Sequence, residues 1–180
     1  MAMTAADKQR MKEIKERYPF DMKAFVKSAK NIHVAENKEN DSIAVTDGYK
    51  GFLCNNIQQT LSDMAFIQGC DLFYRDKIEY DKFKKMLMDA AQTDLCMSDM
   101  HLTKGRDTLS IFYAKNVLVC VNSEYADMIQ DCDAVYGVGG TSPIVAVYDV
   151  PGVFFLVLPV RWLRTRQQYD AVCKYHGVDC

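Results

Sequence analysis

Val121–Arg161 reads VNSEYADMIQDCDAVYGVGGTSPIVAVYDVPGVFFLVLPVR. Ser123 is a good N-cap, since its hydroxyl can accept from an unpaired N–H of a first helical turn. Tyr125, Met128 and Ile129 then share the inner face of a helix predicted over 123–132. Three apolar segments follow: Ala134–Val138, Ile144–Tyr148 and Val153–Val160. Gly137, Gly139 and Gly140 supply the turn between the first two. The last segment is apolar at nearly every position, which predicts a strand covered on both faces.

Working outward, Leu109, Ile111 and Tyr113 alternate, as do Val117, Val119 and Val121, so two strands joined by a tight turn at Ala114-Lys115-Asn116 are expected. Earlier still, Asp47-Gly48 separates the apolar residues Ile43 and Val45 from Tyr49, Phe52 and Leu53, a hairpin signal. Asp21 is a plausible N-cap for a helix over 21–32, with Met22, Phe25, Val26 and Ala29 on its buried stripe. Lys23, Lys27 and Lys30 form a basic stripe on a neighbouring face. Residues 4–17 read as a solvated helix that ends at Tyr18-Pro19, because the residue before proline avoids the α region. Ile57 to Ile67 reads as a helix or remains open, and Gly69 to Tyr74 as a short strand. Asp76–Thr93 reads as a helix with Phe83, Met86, Leu87 and Ala90 inward; Asp94–Asp107 is polar and turn-like. A final helix is expected over 164–175, with Gly177 as its stop.

The chain has 180 residues, 49% apolar and 26% charged, ordinary for a folded domain with one sizeable core. The longest apolar run is broken by Pro151 and Pro159 and is too short to span a bilayer. The first twenty residues mix charges and lack an apolar signal core, so a cytoplasmic protein is expected. Seven cysteines without a Cys-x-x-Cys pair fit reduced thiols. The net charge of −2 conceals polarity: residues 1–30 carry eight Lys/Arg against four acids. Between Asn116 and Val160 there is no basic residue, while Glu124, Asp127, Asp131, Asp133 and Asp149 are acidic. One face therefore suits an anionic partner and another repels it.

No motif demands catalysis. The glycine loop at 137–142 lacks the following helix and the Lys-Ser/Thr that a phosphate cradle needs, and it reads as a hairpin turn. Cys173, His176 and Cys180 offer three soft ligands without a fourth, and neither His33 nor His101 is near by spacing; no metal and no cofactor are expected. No Gly-x-Ser-x-Gly elbow occurs.

Asn122 and Tyr125 in the helix, Pro143-Ile-Val-Ala-Val, the terminal strand Phe154–Arg161 ending Leu-Pro-Val-Arg, and the turn Ile43-Ala-Val-Thr-Asp-Gly-Tyr together resemble a domain of the bacterial DNA-polymerase sliding clamp. The resemblance covers about 21–56 and 109–163. It implies an α+β fold with two helices packed on one face of an antiparallel sheet, here with an inserted helical segment at about 57–107. The expected organisation is a charged N-terminal helix at 1–20, one clamp-like domain at 21–163, and a helical tail at 164–180. Clamps line a hole with basic helices. Lys23, Lys27 and Lys30 suit that role, as nucleic-acid-binding residues, whereas Glu124, Asp127 and Asp131 would meet phosphates with like charge. The resemblance also implies a peptide groove near the end of the domain, to which Val157, Pro159, Val160 and Trp162 would contribute unless the tail fills it. A ring of such single domains would need several copies, so an oligomer stays open.

The expected function is that of a non-catalytic clamp-fold accessory or decoy, acting through protein–protein contacts with a replication or mobile-element protein, of phage or mobile-element origin. The alternatives are a nucleic-acid-binding protein using the basic helices of residues 8–30, and a small enzyme of unknown reaction.

Overall fold

The computed structural model describes residues 3–69, 74–75, 78–129, 131–160 and 166–179. The chain runs α1 (Ala5–Arg17), α2 (Met22–Ser28), β1 (Ile32–Asn37), β2 (Ser42–Thr46), β3 (Lys50–Asn55), α3 (Ile57–Gln68), β4 (Tyr74–Arg75), α4 (Tyr80–Ala90) and β5 (Thr93–Asp94). It continues with β6 (Cys96–Lys104), β7 (Asp107–Ala114), β8 (Val117–Asn122), α5 (Ser123–Ala126), a 3₁₀ turn at Asp127–Ile129, β9 (Ala134–Gly137), β10 (Ile144–Val147), β11 (Phe154–Val157) and α6 (Arg166–His176). This is an α+β protein with antiparallel sheets.

The larger sheet has the order β4-β1-β2-β3-β11-β10-β9-β5, antiparallel except where β4 runs parallel to β1. Strands β6-β7-β8 form a second, three-stranded sheet. The segment expected to be covered on both faces, β11, lies between β3 and β10 in the middle of the larger sheet. Phe155 and Val157 point into the main core with Phe25, Phe52 and Ile144, while Leu156 points into a second cluster with Leu53, Phe83 and Leu87. Both faces are therefore dry, which explains the unbroken apolar run.

Helices α2 and α3 pack together on one face. Met22, Phe25 and Val26 of α2 and Ile57, Met64 and Ile67 of α3 enter the main core. The four-residue-or-three spacing of these side chains is what makes each helix amphipathic. Helix α4 covers the opposite face with Phe83, Leu87 and Ala90. Gly51 fits this layer because a Cβ there would lie 2.5 Å from the Val45 carbonyl oxygen and 3.1 Å from the Phe83 ring. Helix α6 seals the outer face of the smaller sheet with Val172 and Cys173 against Leu109, Ile111 and Cys120.

Several sequence expectations are corrected. The helix expected over 21–32 stops at Ser28, whose hydroxyl turns back onto the Ala24 and Phe25 carbonyls, and Ile32 opens β1. The helix expected over 123–132 shortens to Ser123–Ala126 and a 3₁₀ turn, capped by Asn122 rather than Ser123. Its continuation would need the Met128 carbonyl to accept from Cys132. That carbonyl instead accepts the Asp21 N–H at 3.2 Å, and the Cys132 N–H goes to Ile129. Residues 96–104, read as turn-like, form β6, with a register irregularity between Met97 and His101. The span 57–107 thus supplies two helices and three strands, with α3 beside α2 on the same face. The expectation of reduced thiols holds for Cys54, Cys96, Cys120 and Cys132, but Cys173 is disulfide-bonded.

Candidate functional site

Helix α1 is polar and buries only Ile14, so side-chain anchors fix its position. Thr4 and Asp7 form a capping box at its start, the Thr4 N–H and hydroxyl donating to Asp7 Oδ2 at 2.9 and 2.8 Å. These bonds hold the Asp7 carboxyl below the usual carboxylate range. Midway, the Arg10 guanidinium lies over the Phe66 ring at 4.5 Å and donates to Ser62 Oγ at 2.9 Å. At the far end Arg17 pairs with Asp63, a buried carboxylate of α3 that also accepts from the Tyr18 hydroxyl at 3.1 Å and from Gln59 at 3.0 Å.

Strapped in this way, α1 leaves a groove between itself, α2 and α3 of about 750 Å³. Met3, Met11, Ala65, Phe66 and Ile67 supply apolar lining, and Lys23 and Lys27 of α2 line it as well. Both lysines are exposed, and neither has an ion-pair partner among the described residues. Lys30 is exposed beyond the helix end and does not line the groove.

Toward the C-terminal end of α1 a second cleft, of about 790 Å³, adjoins the first and shares Met11 and Lys23 with it. Lys12, Lys15 and Lys23 line it together with Glu16, Asp21, Asp127 and Asp131. Basic and acidic side chains thus share this cleft, and Asp127 and Asp131, two of the acids expected to repel phosphate, line it with Lys23, one of the lysines expected to attract it.

The residues expected in a peptide groove are dispersed. Val157 is fully buried in the main core. Val160 donates its N–H to the Cys120 carbonyl at 2.8 Å and packs in the cluster covered by α6. Pro159 is half-buried. Trp162 lies outside the described residues.

One lysine is a core residue. Lys50, in β3, is fully buried, paired with Asp47 of the hairpin turn, and lies 5.2 Å from the Phe25 ring centre and 4.6 Å from that of Tyr125. Asp47 in turn accepts from the Tyr49 and Lys50 N–H groups at 2.9 and 3.0 Å. The cation therefore ties the hairpin to α2 and α5. Among the described residues no group of three or more His, Cys, Asp or Glu could hold a metal ion. His176 stacks on Tyr113 with ring centres 4.3 Å apart and lies 3.2 Å from Ser98 Oγ. No helix among the described residues is long and apolar enough to cross a membrane.

Phe66, Ala65, Met3 and Met11 were not singled out from sequence. A signal exists for Phe66: Ile57, Met64 and Ile67 already make the buried stripe of α3, and Phe66 falls outside it.

No family model matches this chain, and no curated protein matches it. A crystal structure from Eubacterium rectale, described as a "Putative DNA polymerase III beta subunit", is similar at 12% identity with a TM-score of 0.39. That similarity is weak and confined to fold level. It covers 80% of this chain and 64% of the other, so the chain spans somewhat under two thirds of that protein's length.

Proposed function

We propose that this chain is a non-catalytic interaction module that engages a protein partner through the groove between α1, α2 and α3. The observation that supports this reading is the groove itself: about 750 Å³, lined by Met3, Met11, Ala65, Phe66 and Ile67 together with Asp7, Lys23 and Lys27. That volume is in the range of ordinary ligand sites, about 300–1,000 Å³. An apolar floor gains from burying apolar side chains, which proteins carry and a phosphate backbone does not. The sequence resemblance of 121–161 to clamp domains supports a replication or mobile-element protein as the proposed partner, and the small size of a lone clamp-like domain supports a phage or mobile element as the proposed origin. The four free cysteines among the described residues support the cytoplasm as the proposed compartment, while the disulfide at Cys173 weighs against it.

A second reading, nucleic-acid binding through residues 8–30, is favoured by Lys23 and Lys27, which have no ion-pair partner among the described residues. It is opposed by Asp21, Asp127 and Asp131 in the adjoining cleft. A selection of phage-displayed random 12-residue peptides, alongside anisotropy with a labelled duplex at low salt, separates the two. The protein-partner reading expects retained peptides whose affinity falls about tenfold or more in a Met11→Ala/Phe66→Ala variant, and no duplex binding. Retention of no peptide, with duplex binding that Lys23→Glu/Lys27→Glu abolishes, would replace it with the second.

A further inference from the structure

The charge pattern of the groove restricts what its partner can be, given that the groove is a binding site at all. Lys23 and Lys27 stand four residues apart on α2, on one face, which sets their Cβ atoms roughly 6 Å apart. The acid on the opposite wall, Asp7, is held by the Thr4 backbone and hydroxyl in the capping box, not by either lysine. A partner without negative charge would cover the lysine stems and leave two ammonium groups partly dehydrated and unpaired, which is unfavourable. A continuous polyanion meets the opposite difficulty. Lys23 borders both clefts, and beyond it the second cleft presents Asp21, Asp127 and Asp131. Duplex DNA carries a charge about every 1.7 Å along its axis, so a backbone leaving the groove on this side would run into those three carboxylates.

We infer that the groove takes a short peptide segment with two carboxylates about 6 Å apart, facing Lys23 and Lys27, beside an apolar pair seated on Phe66 and the methionines. The two requirements differ in stringency. Met3 and Met11 are unbranched and polarizable, so they adapt to apolar side chains of different shape. The acidic pair is the stricter element, because like or missing charge opposite two ammonium groups is selected against. The acidic wall beyond Lys23 marks the end of the segment's negative stretch.

The peptides retained in the selection above test this directly. Their sequences are expected to carry at least two Asp or Glu within four residues of each other, next to an apolar pair. Synthetic copies should weaken about tenfold or more on Lys23→Glu/Lys27→Glu, and comparably on the wild type when their acids become amides. The second arm holds even if the doubly substituted protein is poorly folded. Retained peptides with no acidic bias, bound equally by the charge-reversed variant and unaffected by amidation, would overturn the inference. If those peptides still lost affinity on Met11→Ala/Phe66→Ala, the groove would stand as a protein site with other chemistry. No retained peptide at all would remove both.

Discussion

Lys50 and Asp47 show how single residues fix this fold. Removing one partner of a buried ion pair leaves an uncompensated charge and costs about 3–5 kcal/mol. Lys50→Met is therefore expected to lower the unfolding free energy by about that amount, measured by urea denaturation. Asp47→Asn combined with Lys50→Met should recover part of the loss, because no orphaned charge remains; a double variant less stable than Lys50→Met alone would contradict the pairing. Tyr148 presents the reverse case, a buried hydroxyl with no hydrogen-bond partner among the described residues. Such a group costs about 1–3 kcal/mol. Tyr148→Phe should raise Tm by roughly 2–4 °C for each kcal/mol recovered, and a lower Tm would show that the hydroxyl is satisfied. Burial pushes the Cys54 and Cys120 thiols up from 9.0 to about 11. The folded state thus keeps protons that the unfolded chain releases, so their contribution is intact below pH 9 and declines as pH rises toward 11. Iodoacetamide at pH 8 should modify exposed Cys96 well before either of them.

Among the elements, α1 is the one held least by its own apolar surface. Its seat depends on Ile14, on Arg10 over Phe66, and on Arg17 reaching buried Asp63. Arg17→Ala should speed amide exchange across α1, because Asp63 loses its cation. Lys12→Ala should not, since its pair with Glu16 is exposed on both sides and worth less than about 1 kcal/mol. Equal exchange in the two variants would show that Arg17 does not hold the helix. The same contrast between local and distant control decides what could be read from sequence. The β2–β3 hairpin was legible because Asp47-Gly48 is a local turn signal, and β11 because burial on both faces leaves an unbroken apolar run. Helix α5 was overestimated because a residue far back in the chain, Asp21, takes the Met128 carbonyl. Strand β6 was missed because its polar residues are those of a strand interrupted by a register shift. Lys23 and Lys27 were legible as a stripe, but the apolar floor beneath them was not, since it comes from three helices at once.

For the molecule as a whole, the proposed binding face is the helical one between α1, α2 and α3, since at the end of β11 Val157 is core and Val160 is covered by α6. Methionine methyl groups report on this. Met3 and Met11 line the groove, whereas Met88 and Met97 are exposed elsewhere, at 61% and 47%. The most direct measurement is a methyl NMR titration of the methionine-labelled protein with a selected peptide, repeated with duplex DNA. The account predicts that the peptide shifts Met3 and Met11, leaves Met88 and Met97 in place, and that duplex DNA shifts none of them. Peptide-induced shifts confined to Met88 or Met97, or shifts of Met3 and Met11 with DNA alone, would contradict it.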